Sequence, residues 1–238
     1  NSLSVLWTAL HLAREDQRIL ISVAQEPEQT MRWFSEALAL GAWEAIVEFE
    51  RPEGFLGDRF DEARAACLDY CGAESFELFL LDRGIATSHG QMPQRLRRLM
   101  VEMIDRKICP ITVATATLTE GVNLPFDLIF LTSLKRRSWD PVEEQPIIAP
   151  FSTSEFRNLA GRAGRPGAAR GIEGMTLVAL PTRISTTATS MKPKASKPVQ
   201  ERQLREWAAD YEDLTRRLLA EEQEADAAES PLALLLTR

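Results

Sequence analysis

Apolar residues recur along this chain in two rhythms that take turns. Leu3, Leu6, Trp7 and Leu10 fall three or four apart or side by side, which predicts a helix over residues 2–14. "RILISVA" (18–24) is instead a short apolar run that reads as a strand, and Pro27 opens a helical pattern continuing to about residue 40. "GIATSH" (84–89) is a second strand. After Pro93 comes the clearest stripe: Leu96, Leu99, Met100, Met103 and Ile104 step by three, one, three and one, as one face of a helix does. "ITVAT" (111–115), "DLIFLTS" (127–133) and "GMTLVAL" (174–180) complete a set of five strands.

Short strands alternating with helices read as an α/β fold, a mostly parallel sheet flanked by crossover helices. The pattern sets an α/β domain over residues 1–182. Within it, 41–82 holds glycines, acidic groups and two short helices, and reads as an insertion. Residues 183–198, rich in Thr, Ser, Lys and Pro, read as a linker. Residues 199–238 form a helical extension whose amphipathic stripe (Leu204, Trp207, Tyr211, Leu214, Leu218) suits docking on a partner or a following domain. Ligands of such sheets sit beyond the carboxyl ends of the strands. "SHG", "ATATLTEG" and the loops after residues 133 and 180 are therefore expected to share one rim.

Charge changes this picture more than composition does. The 238 residues carry a net charge of −7, which by itself argues against a nucleic-acid ligand. Its distribution argues the other way: residues 1–82 are net −10, residues 83–200 net +8 and residues 201–238 net −5. An anionic ligand belongs in the middle of the chain. No apolar run is long enough to span a bilayer, so no membrane partner is expected. The first residue is Asn, which reads as a chain cut from something longer. Three cysteines (Cys67, Cys71, Cys109) make an odd, sparse set that fits a reducing, cytoplasmic setting. Cys67 and Cys71 lie four apart, yet with only His11 and His89 in the chain no metal site is expected.

Three stretches carry candidate chemistry. In "SHGQMPQRLRRLM" (88–100), a strand end leads through His89 and Gly90 to Gln94 and Arg97 at the start of a helix, where phosphates bind well; a satisfied loop histidine is the other reading of His89. "ATATLTEGVNLP" (114–125) offers hydroxyls, a turn glycine and Asn123 directly after a strand, groups that can hold a phosphate or a ribose hydroxyl; an ordinary β–α connection is the other reading. In "NLAGRAGRPG" (158–167), Ser152 and Glu155 form a capping box for a helix that Pro166–Gly167 stops. Phe156, Leu159, Ala160 and Ala163 would then be buried, and Asn158, Arg162 and Arg165 would share a polar face flanked by Gly161 and Gly164. A solvated arginine face is the alternative.

In this order and at these spacings the stretches resemble the second RecA-like lobe, a P-loop NTPase-type fold, of superfamily 2 helicases of the superkiller-like DExH group. "RILISVA" resembles motif IV, "HGQMPQRLR" motif IVa, "ATATLTEGVNLP" motif V and "NLAGRAGRPG" motif VI, so the likeness covers about residues 18–181. The resemblance implies an ATP-dependent helicase in which ATP and Mg²⁺ bind between two lobes. Arg162 and Arg165 would reach the ATP phosphates, Arg165 as the arginine finger. Asn158 stands where the family usually has Gln. Gly121, Asn123 and Gly161 would lie near the nucleotide. Thr115, His89, Gly90, Gln94 and Arg97 would serve the nucleic-acid strand, DNA or RNA.

Segment 133–151 lies where related DNA helicases carry a strand-separating hairpin. Its Lys135, Arg136, Arg137 and Trp139 suit phosphate contact and base stacking; a basic surface loop is the other reading. The chain holds neither Gly-x-x-x-x-Gly-Lys-Ser/Thr nor an Asp-Glu-x-His box, the parts that bind phosphates and Mg²⁺ in a first lobe. The resemblance thus implies half of an ATPase site, with a first RecA-like lobe as partner and no hydrolysis by this chain alone. Two other readings are a stand-alone module that binds nucleic acid or a partner without catalysis, and a translocase that moves on duplex without unwinding it.

Overall fold

Every residue of Ile19–Val23 (β1), Ile85–Ser88 (β2) and Leu128–Leu131 (β4) is buried, and Ile111–Thr115 (β3) is buried up to its last residue. Strands this apolar on both faces need a helical layer on each side. The computed structural model, which describes residues 2–13, 18–23, 27–115, 126–140, 143–163, 174–180 and 197–228, supplies both layers. Two further strands, Lys135–Asp140 (β5) and Gln145–Pro150 (β6), form a separate antiparallel pair, and Met175–Val178 (β7) ends the main sheet. That sheet has the order β2-β3-β1-β4-β7, and all its pairings are parallel. The five strands expected from the sequence are these five.

Alternation along each strand sorts the core into two clusters. Ile19, Ile21, Ile85, Ile111, Val113, Leu128 and Phe130 face the helices Ser2–Ala13 (α1) and Pro27–Leu38 (α2), which bury Leu6, Ala9, Met31 and Phe34. Leu20, Ala86, Ala114, Ile129 and Leu131 face the other way, onto Gly54–Cys71 (α4, after the short Gly41–Glu44, α3), Gln94–Asp105 (α6) and Thr153–Ala160 (α7). The stripe Leu96, Leu99, Met100, Met103, Ile104 is buried throughout, as its spacing predicts.

Segment 41–82, read from the sequence as an insertion, contributes to both clusters. α4 is one 18-residue helix, not a short one, and it buries Phe60, Ala63, Ala66 and Cys67 against α6. Phe76–Leu81 (α5) follows, capped by Ser75, whose hydroxyl accepts from the Leu78 amide. It turns into β2 through Gly84 at φ 73°, a conformation that favours glycine, and a Cβ there would also collide with the Phe49 ring.

A charged clasp holds α4 to α6. Arg59 grips Glu102 with both ends of its guanidinium, its Nε donating to Oε1 at 2.8 Å, and Arg106 Nε donates to the same oxygen at 2.6 Å. These bonds, those from Arg59 first, hold the Glu102 carboxyl down at about 2 against its usual 4.5. A depressed carboxylate contributes stability above its unfolded value and loses that contribution as pH falls through the folded one. Glu102→Gln is therefore expected to flatten the fall in melting temperature between about pH 4.5 and about pH 2. Thermal melts of both proteins across that range check it; an unchanged acid limb contradicts it.

Two of the three cysteines, Cys67 and Cys109, are buried. Burial pushes Cys109 up to about 12 and raises Cys67 as well, so neither is a thiolate near neutral pH. Among the described residues no cluster of three or more His, Cys, Asp or Glu gathers, and no helix is long and apolar enough to cross a membrane.

Candidate functional site

Because all five strands are parallel, one edge of the sheet collects their carboxyl ends. Ser88 lies in register with Ala114, Val23 with Thr115, and Leu131 with both Ser22 and Val178. The residues that follow, His89 and Gly90 after β2, Thr132 after β4 and Ala179 after β7, share this edge with Thr115 at the end of β3; of the rim expected from the sequence, residues 116–121 and the loop after residue 180 lie outside the described residues. Thr132 closes over the edge, its amide and hydroxyl both donating to the Ser22 carbonyl, at 3.1 and 2.9 Å.

The turn from β2 into α6 divides these residues between surface and interior. Gly90 and Gln94 are exposed, and nothing stands within 4 Å of where a Gly90 Cβ would lie. His89, however, is buried at 6% exposure, with its Nε2 3.2 Å from Glu77 Oε1 on α5. Arg97, expected to reach a strand phosphate, instead turns Nη2 onto the carbonyls of His89 (3.4 Å), Gly90 (3.2 Å) and Met92 (3.1 Å). Arg97, in the first turn of α6, ties these carbonyls together, and the His89 carbonyl also accepts from the Met92 amide at 3.2 Å. Arg97 is thus a brace for the loop.

From β4 the chain runs through Ser133 and Leu134 into the hairpin β5–β6, in register from Lys135↔Pro150 to Asp140↔Gln145. Segment 133–151 is therefore a hairpin, with Arg136 and Arg137 on β5 opposite Ala149 and Ile148. Lys135 does not stand free at its root, because Nζ lies 2.9 Å from Asp210 Oδ2. Asp210 belongs to Lys197–Ala228 (α8), the extension expected to dock elsewhere. Part of it docks here: Leu214 is buried, Arg217 Nη1 donates to the Phe151 carbonyl at 3.0 Å, Arg157 Nη2 donates to the Leu218 carbonyl at 3.3 Å, and the Thr153 hydroxyl donates to Glu221.

The hairpin returns at Phe151 into the capping box. Ser152 accepts from the Glu155 amide at 3.2 Å and Glu155 accepts from the Ser152 amide at 3.0 Å, as the sequence predicts. The helix it starts is shorter than expected. α7 ends at Ala160, Gly161 is its C-cap, and Arg162 lies in the following turn. Asn158 and Arg162 therefore do not share a helical face: Asn158 is exposed on α7, whereas Arg162 is 9% exposed beyond its end.

A long-range pairing stops the helix. The Phe126 amide donates to the Arg162 carbonyl at 3.0 Å, and Ala163 bridges Phe126 in parallel. Gly161 fits this stop, since a Cβ there would lie 2.8 Å from the Arg157 carbonyl oxygen. Phe156, Leu159 and Ala163 pack on the core as expected. Phe126 precedes β4, so Arg162 sits at the amino edge of the sheet. Arg18 is there too, its amide donating to Asp127 Oδ2 at 2.8 Å and its guanidinium 3.6 Å from the same oxygen. The rim residues lie at the opposite edge, at least a four-residue strand away, roughly 13 Å. Gly121, Asn123 and Arg165 lie outside the described residues, as do the side chains of Arg136, Arg137 and Trp139. Two participants escaped the sequence reading. Glu77 lies twelve residues before its partner, and Asp127 reads only as the first polar residue of a strand.

Comparison with known proteins agrees with this architecture. Residues 64–167 match the helicase conserved C-terminal domain, a span that begins in α4 and contains all three candidate stretches. The parallel sheet between helical layers is the RecA-like fold of that domain. The ATP-dependent DNA helicase Hel308 of Pyrobaculum calidifontis is 36% identical over 91 residues, 37% of this chain and 12% of that protein. The antiviral helicase SKI2 of Saccharomyces cerevisiae is 31% identical over 88 residues, 37% of this chain and 6% of that protein. The Hachiman protein HamB of Bacillus cereus is 29% identical over 100 residues, 42% of this chain and 8% of that protein. The chain thus spans a small part of the length of each relative.

Proposed function

We propose that this chain is the second RecA-like lobe of an ATP-dependent superfamily 2 helicase of the superkiller-like DExH group. It serves ATP at one edge of its sheet and a nucleic-acid strand at the other. The observation that carries the reading is the separation of the two sets of residues by one rigid sheet. The Arg162 turn is pinned at the amino edge through Phe126, while His89, Gly90 and Thr115 line the carboxyl edge from which the hairpin rises. The matched span of 64–167 includes both sets.

The Arg162 turn fits a nucleotide at a lobe boundary: the Gly161 cap is exposed, and Arg162, only 9% exposed, is pre-positioned before any ligand arrives. Arg162 and Arg165 would approach the terminal phosphates, with Asn158, Gly161, Gly121 and Asn123 near the nucleotide. ATP with Mg²⁺ would supply the transferable phosphoryl group, and the first lobe would bind the metal. On the other edge, Thr115, the Gly90 turn, Gln94 and the hairpin residues Arg136 and Arg137 would meet the strand. Lys135 and Arg97 would meet the strand from positions already tied to Asp210 and to the loop carbonyls.

The chain alone is expected to release no phosphate from ATP, with or without single-stranded DNA or RNA, and to bind such strands with an affinity that falls steeply with salt. A phosphate-release assay and a salt titration of strand binding check this. Turnover that survives purification controls and vanishes in Arg165→Ala overturns the half-site reading. Strand binding that is absent at low salt overturns the rim.

A further inference from the structure

Glu77 has no role in the site as proposed so far, yet it is placed where such a role would be exercised. It stands in the first turn of α5, and α5 connects to β2 through only three residues, Asp82 to Gly84. This short link brings Glu77 Oε1 to 3.2 Å from His89 Nε2, with the two side chains 15% and 8% exposed. A carboxylate so little exposed needs a donor, and the histidine bond holds the Glu77 carboxyl below its usual range.

An ionised carboxylate is an acceptor only, so the proton of this bond sits on His89 Nε2. His89 Nδ1 is buried and takes no hydrogen bond among the described residues. Glu77 is thus the one observed side-chain partner that chooses the tautomer and orientation of the ring. On the backbone side, the His89 carbonyl accepts from the Met92 amide at 3.2 Å and from Arg97. The turn between β2 and α6 is therefore held from below by Arg97 and from the side by Glu77 through the imidazole. What it presents outward is the open backbone at Gly90 and the side chain of Gln94.

We propose that Glu77 is a positioning residue for strand binding: it locks His89 as the Nε2–H tautomer and so sets the His89–Met92 turn in the geometry that meets a phosphodiester backbone. The proposal rests on the rim reading above for its consequence, but not for the lock itself. Glu77 touches no strand; it acts through His89.

Two measurements on this chain separate the lock from its consequence. Nitrogen-15 spectra of the imidazole report the tautomer, and anisotropy of a fluorescent single-stranded oligonucleotide, DNA in one series and RNA in another, reports affinity. In Glu77→Ala the Nε2–H tautomer should lose its dominance and the Kd should rise about tenfold, on the scale of one lost charge-assisted hydrogen bond. In Glu77→Gln, whose carbonyl oxygen accepts the same proton, both should stay near wild type. That rescue distinguishes positioning from bulk stability, as does a Kd change measured well below the melting temperature of each variant.

An unchanged tautomer in Glu77→Ala overturns the lock. A changed tautomer with Kd within twofold of wild type overturns the positioning role. If the wild-type chain binds neither oligonucleotide, the rim reading and the positioning role fall together, and the tautomer of Glu77→Ala still decides the lock.

Discussion

Arg165→Ala, in a protein that joins this lobe to a first lobe, is expected to lower kcat for ATP hydrolysis about 10³–10⁵-fold while changing nucleotide affinity far less. The expectation follows from where charge appears. In phosphoryl transfer, negative charge spreads over the equatorial oxygens of the transferring group, and a guanidinium placed there beforehand stabilises the transition state more than the bound substrate. Lysine should not substitute, because it cannot present a planar pair of donors to two oxygens. Steady-state phosphate release, with nucleotide affinity measured separately, checks both halves. A kcat within tenfold of wild type contradicts the arginine-finger assignment. A tenfold or greater loss of affinity with kcat unchanged assigns Arg165 to ground-state binding instead.

The largest expected effect on folding is at Phe126. Its ring is 1% exposed within the cluster formed by the α4, α6 and α7 side of the sheet. Truncating a buried phenylalanine to alanine costs about 3–5 kcal/mol, a large share of the roughly 5–15 kcal/mol that holds a domain folded. Phe126→Leu, which keeps most of the volume, should cost under about 1.5 kcal/mol. Urea unfolding of the three proteins measures the series. The main chain of Phe126 also makes the bridge to Ala163 and bonds the Arg162 carbonyl, and the buried ring anchors that stretch of backbone. Phe126→Ala should therefore lower ATPase of the two-lobe protein more than Phe126→Leu does, at a temperature where both are folded. Equal activity in the two variants would show that the Arg162 turn is held by other contacts.

The sheet and most helices were legible in the sequence because their signals are local. α6 shows its buried face as a stripe of neighbouring positions, and Ser152 with Glu155 marks the start of α7 within four residues. The end of α7 was not legible. The glycines at 161 and 164 weaken a helix without fixing where it ends, and the observed stop is the pairing of Ala163 with Phe126, 37 positions earlier in the chain. Nothing in "NLAGRAGRPG" reports that pairing. The same holds for the basic residues. Arg97 and Lys135 look alike in sequence to arginines that bind phosphate, but Arg97 Nη2 also meets three loop carbonyls and Lys135 Nζ also meets Asp210, 75 positions away.

The sequence by itself therefore determined the elements, their parallel α/β arrangement and the three stretches that resemble helicase motifs. Periodicity, capping and turn chemistry act over a few residues and survive without a partner. Only the tertiary structure decided which charged and polar groups of those stretches remain available for a ligand. That outcome depends on long-range pairs (Glu77 with His89, Lys135 with Asp210, Phe126 with Arg162), whose members are chosen by packing. A side chain's chemistry is set by its type, but its partner is set by what the fold brings within about 3 Å.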